Sequence, residues 1–276
     1  MRFYAPGLHD KMKILRFALE TSHPHANLTS VTESITLIPV KETTMSYEQN
    51  VAPMEMAQVT AVAQKNKVLR QTYMLLAVSM IPTVIGAWFG VASGLFQTML
   101  ASPGISLMVF LGGAFGFMFA IEKNKESGLG VVLLLAFTFF MGIMLSRMVG
   151  MVLGMKGGAQ LVGMAFGGTG LIFFGMAALG TVIKRDLSSM GKFLTIGAMI
   201  VFAASLIMFI FPMPALMLAL VVMVLAIFSL FILYDVNRIV NGGETNYISA
   251  TLSLYMNVYN VFQALLALVG IGGSRD

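Results

Sequence analysis

The chain has 276 residues, 58% of them hydrophobic and only 11% charged, with a net charge of +5 and a mean hydropathy of +0.87. That much apolar surface exceeds what a soluble core of this size can hide, so the composition indicates an integral membrane protein whose first partner is the lipid bilayer. With no Cys and only three His (His9, His23 and His25, all near the N-terminus), disulfides, thiolate chemistry and zinc or haem ligation are not expected.

Residues 1–66 form the only extended polar stretch, rich in Ser, Thr, Glu, Lys and His without sustained periodicity, and read as a disordered cytoplasmic tail. Within it, residues 9–20 have the spacing of a short amphipathic helix. Met45 opens MSYEQNVAPMEM in the manner of an ordinary start, which suggests that residues 1–44 are an upstream extension or a misassigned beginning.

After Lys65, Lys67 and Arg70 the chain turns apolar, and residues 67–276 form the membrane domain. Counting runs of about 20 residues, the length that crosses a bilayer as a helix, gives seven: 72–96, 105–121, 129–153, 161–183, 193–211, 215–236 and 248–271. The expected fold is all-α, a polytopic bundle of seven transmembrane helices. Lys65, Lys67, Arg70, Lys123, Lys125, Lys184, Arg185, Lys192 and Arg238 all fall on one side of this arrangement, whereas the other side carries Lys156. Basic loops stay in the cytoplasm, so the N-terminus is expected in the cytoplasm and the C-terminus outside. The same segmental placement of Lys and Arg argues against nucleic-acid binding.

Arg147 lies inside the third run near its outer end. Either it snorkels to the interface, the favoured reading, or it faces an internal partner. Glycines spaced four apart recur at Gly86, Gly90 and Gly94, at Gly112 and Gly116, at Gly150 and Gly154, and at Gly163 and Gly167. They are read as close helix packing within one chain. Trp88 and several Tyr are expected to mark the depth of the membrane interface.

The polar residues that interrupt the last two runs define the candidate site. Asp235 is about 30 Å along the sixth helix, near its cytoplasmic end, and Asn257 about 13 Å into the seventh. A hairpin turning at Asn241-Gly242-Gly243, with Glu244 to Tyr247 as connector, would bring the two to similar depth. Ser249, Ser253, Asn257, Asn260 and Gln263 share one helical face. So long a polar stripe cannot face lipid, which makes the seventh helix central.

Three readings of Asp235 stand open. It is solvated or paired with Arg238 one turn on, a structural role; or it is partly buried and its protonation changes its hydrogen bonding to the seventh helix, opening or shutting an aqueous path; or it binds a cation with the amide oxygens of Asn257 and Asn260, a weak oxygen-ligand site with one carboxylate. The proton- or ion-sensing candidates are therefore Asp235, Asn257, Asn260, Arg238 and Glu244. No Walker loop, HExxH or GxSxG is present, and no catalytic residue or cofactor is assigned.

The stretch ILYDVNRIVNGGETNYISATLSLYMNVYNVF at 232–262 closely resembles the signature of the Bax inhibitor-1 family, particularly its YccA-type bacterial branch. FGGTGLIFF at 166–174, KRDLSSMGKFL at 184–194 and the terminal SRD are similar as well, so the likeness covers about 68–276. The resemblance implies seven helices with the last one central. It also implies a proton-sensitive cation leak, notably for calcium, controlled by two Asp on the sixth and seventh helices. Asp235 matches the first, but the second position holds Asn257, so only one group titrates and calcium affinity is expected to be lower. The YccA-type branch implies a different role, association with the FtsH-type membrane-anchored AAA protease as modulator and slow substrate, which a flexible N-terminal tail would suit. The protease-modulating reading is taken first and the calcium leak controlled by Asp235 second, with a small-solute transporter behind both.

Overall fold

A computed structural model describes residues 40–273, with side chains placed for 63–213 and 216–273. Residues 1–39, which hold most of the expected tail, its amphipathic segment and the three His, lie outside the described residues, as does the terminal SRD. The chain divides into two units, Met1–Thr60 and Ala61–Asp276. Helices follow one another throughout: α1 (Val40–Ala92), α2 (Leu95–Ala101), α3 (Pro103–Lys123), α4 (Gly128–Leu153), α5 (Gly158–Val182), α6 (Ser188–Ile210), α7 (Pro214–Val240) and α8 (Tyr247–Gly273).

Among the described residues seven helices are long and apolar enough to span a membrane: Ala63–Ala92 of α1, then α3, α4, α5, α6, α7 and α8. These match the seven apolar runs, extended mostly by one to five residues at their ends. The first span begins earlier, at Ala63, and α1 also takes in residues 40–66, which the sequence assigns to the tail. The spans' outer faces carry large exposed apolar side chains such as Met108, Leu171, Phe193 and Trp88, a surface that suits lipid and would be untenable in water.

One element is not in the expected set. The run 72–96 does not continue as one helix, because Gly94 takes a left-handed backbone (φ 73°) that stops α1 and starts α2. α2 lies against α4, with the Phe96 ring resting where a Cβ on Gly150 would stand.

The seventh spanning helix, α8, is the axis of the bundle. It packs against α7, α5, α4 and α3, and it hydrogen-bonds α1 through Tyr255 and Thr251. In the most apolar window of α8, 44% of residues are buried, against 11% in α3 and α6, and no side chain of 247–271 is exposed. The core on its inner half is built from Ile121, Leu134, Phe137, Ile232, Val236 and Leu254. Among α2–α8, the α6 backbone lies beside α7 alone.

Small residues let helices approach closely, at Gly180, where a Cβ would meet the Leu233 carbonyl of α7, and most fully between α1 and α4. A Cβ on Gly86 would collide with the Phe139 carbonyl, one on Gly90 with the Ser146 side chain, and one on Gly142 with the Thr83 carbonyl, so α1 and α4 meet nearly backbone to backbone. This is packing within the chain, as the spacing at Gly86 and Gly90 suggests. Gly112, Gly116, Gly163 and Gly167 instead have open space where a Cβ would be, so their spacing carries no contact inside this chain.

Candidate functional site

The site begins with the way α7 ends. Gly242 adopts a left-handed backbone (φ 79°), its N–H donates to the Ile239 carbonyl (3.0 Å), and the Gly243 N–H donates to the Arg238 carbonyl (2.8 Å). This paired arrangement caps the last carbonyls of the helix and turns the chain sharply back. Asn246 starts α8 on the other side: its Oδ1 accepts from the Ile248 and Ser249 N–H groups (2.9 and 3.1 Å). Its Nδ2 donates to the Lys125 carbonyl and to Glu126 Oε1 (3.0 Å each), which ties the hairpin to the connection between α3 and α4.

Within this hairpin the α7 helix continues to Val240, and Asp235 and Asn257 come to the same depth. Asp235 shares a face with Ile232, Val236 and Ile239, all fully enclosed, and is itself 6% exposed. Its Oδ2 accepts hydrogen bonds from Ser253 Oγ and from Asn257 Nδ2, both at 2.7 Å. Asn257 is equally buried. The carboxylate is thus held by two neutral donors from α8 and joins two helices across their contact.

The remaining candidates are not part of this cluster. Arg238 does not pair with Asp235; its Nη2 meets Glu244 Oε2 at 2.5 Å and its Nε donates to the Gly243 carbonyl at 3.2 Å. Glu244 Oε1 in turn accepts from the Thr245 and Asn246 N–H groups (3.0 Å each). The connector therefore absorbs the guanidinium, and of the three readings of Asp235 the one built on an Arg238 pair loses its partner. Asn260 Nδ2 donates to the Met256 carbonyl of its own helix (2.7 Å). Asn257 offers Asp235 its amide N–H, so neither amide oxygen is drawn to the carboxylate as a shared cation site would require. Among the described residues no three His, Cys, Asp or Glu side chains gather as metal ligands.

Several polar residues of the bundle are not identified by the sequence pattern. Asn237 on α7 is buried and donates through Nδ2 to the Ile183 carbonyl (2.6 Å) at the end of α5, a second polar tie on the same helix as Asp235. Its position two residues beyond an in-membrane acid is the one signal that could have found it. Tyr255 and Tyr259 are not interface markers, being 1% and 5% exposed. The Tyr255 hydroxyl bonds Thr83 Oγ1 at 2.9 Å, and the Tyr259 hydroxyl donates to the Met141 carbonyl at 3.3 Å. Trp88, 68% exposed, does lie on the outer face.

On the opposite half of the bundle a cavity of about 220 Å³ lies between α2, α3, α4, α6 and α8. Arg147 lines it, with its Nε wholly buried and without a hydrogen-bond partner. Arg147 is partly exposed and lines this cavity, and among the described residues no internal partner meets it.

The family model described as inhibitor of apoptosis-promoting Bax1 matches residues 65–274. An uncharacterized membrane protein of Vibrio cholerae is 37% identical over 213 residues, 77% of this chain and 93% of its own. An uncharacterized protein of Pseudomonas aeruginosa is 35% identical over 230 residues, covering 83% of this chain and 98% of its own. The Escherichia coli protein named modulator of FtsH protease YccA is 35% identical over 217 residues, 79% of this chain and 95% of its own. The matched region holds all seven spans and the α7–α8 hairpin with Asp235, and this membrane protein belongs to the Bax inhibitor-1 family, beside YccA.

Proposed function

We propose that this protein acts in a bacterial inner membrane as a modulator, and slow substrate, of an FtsH-type membrane-anchored AAA protease. The observation that carries the reading is the 35% identity to the modulator YccA across 95% of that protein's length. The residues N-terminal to the first span supply a segment on which such a protease can begin to pull, with the N-terminus cytoplasmic. The test is affinity purification of the tagged full chain from its host membrane, coupled to a degradation assay on a membrane substrate of the protease. Co-purification, and slower degradation that is lost when residues 2–60 are deleted, are the expected results. A chain that neither retains the protease nor changes its turnover of the substrate overturns the proposal.

A second reading is supported by the buried Asp235 and its bonds to Ser253 and Asn257: a pH-sensitive calcium leak in which protonation of this one carboxyl loosens α7 from α8. It predicts calcium flux through liposomes containing the purified chain, with a pH dependence that Asp235→Asn removes. Asn257→Asp, which restores a second acid, should strengthen that dependence through like-charge coupling. Flux that is absent in both wild type and Asn257→Asp eliminates this reading and leaves the first standing.

A further inference from the structure

The outer cavity belongs to neither reading, and its chemistry is one-sided. Arg147 is only partly buried, but its side chain lines the cavity and its Nε is enclosed without a partner. An enclosed donor left without a hydrogen bond is costly, and such groups persist where something completes them. Among the described residues nothing does so here: no carboxylate lines the cavity, the Arg147 Nε has no partner, and Tyr259 is the only other titratable lining residue. Tyr259 and Gln263 are held by their own bonds, the Tyr259 hydroxyl to the Met141 carbonyl and Gln263 Nε2 to the Tyr259 oxygen at 3.2 Å. Only one of the two Gln263 amide hydrogens is used in that bond, which leaves a second donor beside Arg147.

Apart from Ser106, whose hydroxyl is committed to the Met99 and Ser102 carbonyls, the rest of the wall is apolar, including Leu107 and Phe209, and Phe209 is itself exposed on the surface of α6. Side chains of α3 and α6 both line the cavity, although the backbones of the two helices are not adjacent. Its volume equals roughly seven waters at their liquid share, enough for a phosphate or carboxylate with a short apolar stem but not for a whole lipid.

We propose that this cavity is a binding site for an oxyanion, a phosphate or carboxylate held by the Arg147 guanidinium and the free amide hydrogen of Gln263 in the outer half of the bundle. The planar fork of a guanidinium matches both groups. The group can arrive as the headgroup of an acidic lipid from the lipid-facing side of α3 and α6, or as a free anion from the outer aqueous side. The site does not depend on Asp235 or on any protease.

The test uses the full chain purified in a neutral maltoside detergent. Three probes are added separately: phosphatidylglycerol, phosphatidylcholine with the same acyl chains, and inorganic phosphate. Native mass spectrometry reads bound adducts and thermal unfolding reads stabilisation. A one-to-one phosphatidylglycerol adduct without a phosphatidylcholine counterpart assigns the membrane source, and stabilisation by inorganic phosphate alone assigns the aqueous one. Under either source Arg147→Met should weaken binding by at least about tenfold, the loss of one charge-assisted contact. Leu107→Trp, which fills the cavity without touching the charge, should block binding as well and decides the matter if Arg147→Met fails to fold. Absence of binding by both phosphatidylglycerol and inorganic phosphate, or binding that both variants leave intact, overturns the site.

Discussion

At the scale of single residues, Asp235 is the acceptor on which two buried α8 donors depend. Asp235→Leu keeps the volume but removes that acceptor; Ser253 can fall back on a carbonyl of its own helix, whereas the Asn257 amide is left unpaired. The expected loss is about 1–3 kcal/mol, read by reversible unfolding in mixed detergent, and Asp235→Asn, which retains an acceptor oxygen, should lose less. A second residue is diagnostic outside the membrane. Asp186, in the connector before α6, accepts from the Ser188 hydroxyl and the Ser188 N–H (2.5 and 2.9 Å), and these bonds hold its carboxyl below the usual value of 3.8. A carboxyl depressed in the folded state contributes stability above its unfolded value and loses it as pH falls through the lower folded one. Amide exchange in the first turn of α6 should therefore rise only in strong acid, and Asp186→Ala should show the raised exchange already at neutral pH.

At the scale of helices, the α1–α4 contact is set by glycines and should fail selectively. Gly142→Val places branched carbon against the Thr83 carbonyl, an overpacking that costs about 1–3 kcal/mol or more because the obstacle is backbone. Gly163→Ala, where a Cβ meets open space, should melt like the wild type and serves as the control. Span positions were legible in the sequence because apolar length is what a bilayer selects, and the end of α7 was legible because Asn241-Gly242-Gly243 can scarcely do anything else. The central position of α8 followed from its polar stripe. The break at Gly94 had a local signal, the Ser93-Gly94 pair, but it lies inside a run otherwise long enough to read as one span, whereas the roles of Tyr255, Tyr259 and Asn237 exist only because Thr83, Met141 and Ile183, distant along the chain, are folded beside them. Arg238 misled for the same reason, since its proximity to Asp235 along the helix was outweighed by a better partner in the connector.

At the scale of the molecule, the arrangement of Lys and Arg predicts orientation, and a chain without Cys makes the measurement clean. Thr245→Cys and Lys156→Cys both lie at exposed positions in connections on opposite sides of the bundle. A membrane-impermeant maleimide applied to spheroplasts should label the second and reach the first only after lysis. The axial position of α8 has a mechanical consequence. It is the last of the described helices yet the one most others lean on, so a force applied at the C-terminus must begin by withdrawing the hub, while a force at the N-terminus begins with α1 and reaches the hub last. Single-molecule pulling should accordingly show one large rupture from the C-terminal handle and a series of smaller steps from the N-terminal one. A molecular motor that extracts this protein from its membrane would find one end far easier to grip and unravel than the other.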